Sequence, residues 1–159
     1  MNKFLKFNEL VEIGKIFLDC EAYLIALEYC NKAISLSYLP INKERLVEAY
    51  DLRGGVKVFL SRYLESISDY SKAIELDPIN SYLYFGRGMS YEYLNQNEEA
   101  LKNLKMSLEL DPGFSLALSM VDYLENEKDS WVYKEIISKY SISNLKCKIL
   151  INFLRDGRN

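Results

Sequence analysis

An internal repeat constrains this chain more than any other feature. Residues 47–78, VEAYDLRGGVKVFLSRYLESISDYSKAIELDP, are followed by 81–112, SYLYFGRGMSYEYLNQNEEALKNLKMSLELDP. Tyr50 falls on Tyr84, Arg53 on Arg87, Gly54 on Gly88, Ser66 on Ala100 and Tyr70 on Leu104, always 34 residues apart. A period of this length marks a supersecondary unit that cannot bury its own apolar face and must stack on its neighbours.

Within each copy the apolar positions recur every three to four residues, as in Tyr84, Gly88, Tyr91, Leu94 and then Leu101, Leu104, Leu108. That is the spacing of one helical face. A polar break, Asn95-Gln96-Asn97, separates the two runs, and Glu98-Glu99 suit the positive end of a second helix. Each copy closes on Asp-Pro (77–78 and 111–112), which ends a helix. The unit reads as helix A, turn, helix B, stop. Gly54, Gly88, Ser66 and Ala100 are small enough to let A and B approach closely.

This pattern resembles the tetratricopeptide repeat. Counting from Val47 and Ser81, the family's aromatic fourth position holds Tyr50 and Tyr84, its glycine eighth Gly54 and Gly88, and its aromatic eleventh Lys57, a departure, and Tyr91. Its small twentieth is Ser66 and Ala100, its bulky twenty-fourth Tyr70 and Leu104, its twenty-seventh Ala73 and Ser107, and its closing proline Pro78 and Pro112. The resemblance implies an all-α, right-handed α-solenoid of about three helix pairs. It says little about the partner, because the family is defined by its packing positions.

Residues 7–40 form a weaker third copy, in which Leu10, Phe17, Tyr23, Cys30, Ala33 and Leu36 take packing positions. Gly14 precedes Gly54 by 40 residues, six more than the period, and the excess falls around 41–46. Asn42 is a suitable N-cap, so the second helix A is expected to start near Lys43 and project an additional turn beyond the stack; a longer loop is the alternative. Beyond Pro112, residues 115–126 read as a degenerate helix A with Asp122 in the glycine position. Residues 1–128 would form the repeat domain. Residues 129–159, with apolar runs at 131–140 and 143–155, would be the capping helices that solenoids use to cover an open end.

Composition narrows the function. The chain has 159 residues, 49% of them hydrophobic, and a net charge of −3, so nucleic acid is not an expected partner. It has no histidine, which removes the commonest general base and metal ligand. Cys20, Cys30 and Cys147 have no metal-binding spacing and read as reduced thiols. Arg53-Gly54-Gly55 lies inside a helix and serves packing rather than phosphate binding; Arg53 and Arg87 are expected to keep their heads in water. The start of the chain lacks the apolar core of a signal peptide and no uninterrupted apolar stretch reaches eighteen residues. The reading is of a cytoplasmic protein that is not an enzyme, with no catalytic, cofactor or metal site and no membrane segment.

The resemblance implies a concave groove lined by helix A at positions two, five, nine, twelve and thirteen. Carried over, these are Asn8, Val11, Lys15, Leu18 and Asp19; Glu48, Asp51, Gly55, Val58 and Phe59; Tyr82, Phe85, Met89, Glu92 and Tyr93; and, from the degenerate helix, Leu116, Ser119 and Tyr123. The lining is acidic in the middle and apolar toward the C-terminus. Family members that grip the carboxylate of a chaperone tail use Lys and Asn, then Asn, then Lys and Arg, at five positions that here hold Val11, Lys15, Leu52, Tyr82 and Gly86. That clamp is rejected. The expected partner is another protein, presenting an apolar peptide or amphipathic helix to Phe59, Tyr82, Phe85, Met89 and Tyr93. Two other occupants remain open: the chain's own final helix, through Ile142, Leu145, Ile149, Leu150 and Phe153, or a second copy in a homodimer. A type III secretion-like chaperone of secreted proteins and a regulatory subunit of an enzyme are the alternative roles.

Overall fold

The computed structural model describes residues 3–38 and 41–125. Among these are seven α-helices and no strand: α1 (Lys3–Asp19), α2 (Tyr23–Ile34), α3 (Lys43–Phe59), α4 (Tyr63–Leu76), α5 (Ser81–Glu92), α6 (Asn97–Leu110) and α7 (Ser115–Glu125). The expected capping helices of 129–159 lie outside the described residues. The chain divides into two compact units, Met1–Ile79 and Asn80–Asn159.

In the first unit α1 pairs with α2, α3 with α4, and α2 packs on α3. The helices touch through the small residues. A Cβ on Gly54 would meet the Tyr70 ring at 3.2 Å, and one on Gly14 would meet Cys30 Sγ at 3.3 Å. Ser66, fully buried, donates from Oγ to the Gly54 carbonyl at 2.9 Å and ties α4 to α3 at that closest point. Phe17 stacks on Tyr29, and Tyr23 on Phe59 with centroids 4.7 Å apart. Burial pushes the Cys30 thiol up to about 12, so it stays protonated, whereas Cys20 is exposed.

Lys43 does begin α3, and Asn42 caps it by accepting the Glu44 N–H at 2.8 Å. The additional turn does not stand alone, however. The first helix starts at Lys3 rather than near residue 7, so α1 and α3 are both 17 residues long. Arg45, on the added turn, reaches Glu12 of α1 at 3.6 Å.

Arg53 corrects a second expectation. Its guanidinium binds Asp69 through two nitrogens, at 2.9 and 2.6 Å, and donates a third bond to Asn31 at 3.1 Å. Lys57, buried where the repeat calls for an aromatic ring, places Nζ 2.7 Å from the same Asp69 carboxylate, which is 3% exposed. A buried carboxylate held by two cations forms only where the geometry satisfies its oxygens. One period later the carboxylate and the lysine are both absent: Tyr91 replaces Lys57, Asn103 replaces Asp69, and Arg87 Nε donates to Asn103 Oδ1 at 2.8 Å.

The second unit comprises α5, α6 and α7. A Cβ on Gly88 would meet Leu104 Cγ at 3.1 Å and the Ala100 carbonyl at 3.3 Å, so α5 and α6 are in backbone-limited contact. Their core joins Phe85, Met89, Leu104, Phe114, Ala117, Met120, Val121 and Tyr123. Phe114 anchors it, with its ring centroid 4.8 Å from those of both Tyr82 and Phe85. Asp122, in the glycine position of α7, is exposed.

All three A-to-B turns use one device. Glu21, Ser61 and Asn95 have φ near +58°. In each turn the following N–H returns to the carbonyl five residues back: Ala22 to Phe17, Arg62 to Lys57 and Gln96 to Tyr91. This is the left-handed helix cap that glycine usually fills, yet none of the three is glycine.

Two outcomes are expected. Ser61→Gly relieves the left-handed penalty and stabilises the fold by about 1 kcal/mol in urea denaturation; a loss of stability would contradict the cap. Asp69→Asn costs about 3–5 kcal/mol by leaving two cations without their carboxylate. Adding Lys57→Tyr, which recreates the arginine, tyrosine and asparagine set of the next repeat, recovers most of that loss. Simple additivity of the two changes would show that the ions are not coupled.

Candidate functional site

The A helices carry the residues expected to line a binding face, and each unit is described by itself. On the first, Val11, Leu18, Gly55 and Val58 are buried, Phe59 is half-buried against Tyr23, and Asp19 is exposed. Asn8, Lys15, Glu48 and Asp51 are half-buried. Val11, Leu18 and Val58, expected to line the groove, are thus core, and the charged lining residues lie on a polar surface between α1 and α3.

That surface is an ion network. Lys15 pairs with Glu48 across the two helices and with Glu12 at 3.0 Å along its own. Arg45 pairs with the other Glu48 oxygen at 2.7 Å. Burial works against the charge on Glu48, but the hydrogen bonds from Lys15 and Arg45 outweigh it and hold the carboxyl below its usual range. Sequence reasoning placed Lys15 and Glu48 on the face but missed Glu12 and Arg45. The available signal was that each lies three residues before its helix's groove member, within reach on the same helix.

Asp51, one turn beyond Glu48, is treated differently. Its Oδ1 is buried and has no hydrogen-bond partner, and the same holds for Asn8 Oδ1. Burial pushes the Asp51 carboxyl up to about 7; repulsion from Glu48 adds to the rise, and Lys15 opposes it.

On the second unit, Phe85 (2% exposed), Met89 and Tyr123 belong to the core, so two of the expected apolar anchors, Phe85 and Met89, and one expected lining residue, Tyr123, are packing residues. Tyr82, Glu92, Tyr93, Leu116 and Ser119 are half-buried. Tyr82, Tyr93 and Leu116 pack against the core cluster and keep part of their surface outside it. Ser119 donates to the Ser115 carbonyl at 3.0 Å within α7. Among the described residues no group of three or more His, Cys, Asp or Glu is placed to hold a metal ion, and no helix is long and apolar enough to cross a membrane.

Paired helices at a 34-residue period, closed by glycine contacts, define a helical-repeat protein. Residues 47–80 and 69–102 each match the family described as Tetratricopeptide repeat. Residues 47–102 are thus tetratricopeptide repeat sequence. Sperm-associated antigen 1 of Mus musculus is 31% identical over 106 residues, which is 66% of this chain but 11% of that protein. The chain therefore spans about a ninth of the length of the curated relative. Two solved structures share the fold. The first TPR of Spaghetti (RPAP3), bound to the HSP90 peptide SRMEEVD, superposes with a TM-score of 0.70 at 23% identity, covering 80% of this chain and 96% of that one. The Hsp90 co-chaperone Cns1 from Saccharomyces cerevisiae gives 0.73 at 21% identity, covering 84% and 42%.

The Asp51 carboxyl generates a pH prediction. Its folded value near 7 lies above its unfolded value, so its charge costs nothing below about pH 4 and costs stability increasingly as pH rises through 7. Asp51→Asn should raise the melting temperature at about pH 8, and the gain should shrink toward zero by about pH 4. An equal gain at both pH values would mean that burial of the charge is not the cause.

Proposed function

We propose that this chain is a non-enzymatic tetratricopeptide module of the cytoplasm that binds a peptide or amphipathic helix of another protein through its A-helix faces. The observation that carries the proposal is the repeat itself: its small positions, Gly54 and Gly88 among them, serve packing between helices, and its A helices keep partly exposed residues beyond that core. The peptide-bound state of the Spaghetti domain supports the same use of this fold. On the second unit the contact would fall on Tyr82, Glu92, Tyr93 and Leu116, with Phe85, Met89 and Tyr123 supporting them from beneath.

An acidic chaperone tail is not the ligand this surface favours. The clamp positions hold Val11 and Leu52, both about 1% exposed, and Lys15, already paired with Glu12 and Glu48. No charged donor remains there for a terminal carboxylate, and Asp51 would repel it.

Full-length protein should capture a stoichiometric partner from its source lysate. Tyr82→Ala with Tyr93→Ala should lower that capture about tenfold or more while the far-UV helical signal persists. Labelled SRMEEVD peptide should show no saturable binding. Partner capture unaffected by the double variant, or saturable binding of SRMEEVD, would overturn the assignment of the face.

A further inference from the structure

We infer that Asp51 is the docking point for a cationic side chain, lysine or arginine, of the peptide this module binds. The inference rests on the interaction-module reading and adds to it the chemistry of one contact. Its first support is the buried Asp51 Oδ1, an acceptor for which the fold provides no donor. Buried acceptors are nearly always satisfied, so an orphan one calls for an explanation. Its second support is position: Asp51 is half-buried as a residue and stands one turn beyond Glu48 on the helix A face that the module would present.

Its third support is the charge balance of the surface. From α1, Glu12 and Lys15 face this region; from α3 itself, Arg45 and Glu48 do. These four pair among themselves, two cations with two anions, and none of them forms an ion pair with Asp51. The carboxylate that α4 turns toward α3, Asp69, is occupied by Arg53 and Lys57. No cation of the described network remains to be redirected, so the counter-ion must come with the ligand. A lysine ammonium or an arginine guanidinium supplies both the missing donor and the missing charge.

The carboxyl also titrates near neutrality, which gives the contact a signature. A cation binds the ionised form, so affinity should rise with pH, by about tenfold between pH 6 and pH 8 for a group centred near 7.

The test is selection of a displayed random 12-residue peptide library on the full chain, on Asp51→Asn, on Asp51→Lys and on Glu109→Gln. The last alters net charge as Asp51→Asn does, at an exposed residue of α6 outside the network. Peptides from the wild type and Glu109→Gln should be enriched in Lys or Arg at one register position. Asp51→Asn should retain the apolar preferences and lose the basic one, and Asp51→Lys should select Asp or Glu there. A synthetic wild-type-selected peptide, titrated by fluorescence anisotropy, should bind about tenfold tighter at pH 8 than at pH 6, and Asp51→Asn should flatten that dependence. Equal basic enrichment in wild type and Asp51→Asn, or apolar enrichment alone in both, overturns this inference and leaves the module reading standing. No enrichment with any of the four chains overturns both.

Discussion

The structure depends on how closely helix A can lie on helix B. Gly14, Gly54 and Gly88 set that distance, and in each case an added methyl group would press on the partner helix within about 3.3 Å. Contact this tight fixes the interhelical geometry, and the rest of each pair follows. The twentieth position must be small, and Ala26, Ser66 and Ala100 are all fully buried there. The bulky residue opposite the glycine must be flat or branched enough to share the space, as Tyr70 and Leu104 are. The left-handed residue at each turn is a consequence of the same economy, because it reverses the chain in three or four residues and keeps the helices adjacent.

Around that fixed contact the flank of each pair is filled in three different ways. The first pair uses Phe17 stacked on Tyr29. The second uses Lys57 and Arg53 on Asp69, and the third uses Tyr91 with Arg87 on Asn103. These are the same positions of helix A and helix B, 40 and 34 residues apart. Each solution is internally consistent: ring on ring, cations on a carboxylate, a guanidinium on an amide. Lys57, which departs from the repeat pattern when taken alone, conforms once Asp69 is considered with it.

Much of the fold was legible because its signals are local and repeated. Period, Asp-Pro punctuation and small-residue placement locate the helices, and Asn42 locates the early start of α3. The site was legible in position but not in character. Helical periodicity cannot tell a residue that faces a ligand from one that faces the next helix, so Phe85, Met89 and Val58 read as lining when they are core. Nor does the period report pairings between successive A helices, and the network of Lys15, Arg45, Glu12 and Glu48 emerged only from the packing. The orphaned acceptor on Asp51 has no sequence signature, since one acidic residue resembles another until its neighbours are placed.

The Lys57–Asp69 pairing bears on how such a chain can diversify. Repeat proteins grow and change by duplicating and exchanging segments at a fixed period. The ions on Asp69 bind helix A to helix B of the same pair, so for this contact the exchangeable unit is the whole hairpin. A crossover within the turn, between residues 61 and 95, would set Lys57 against Asn103 in one product and Tyr91 against Asp69 in the other. The first strands a buried cation and the second leaves a buried carboxylate one cation short. Permissible recombination points are thereby confined to the Asp-Pro junctions, where the sequence itself is most alike.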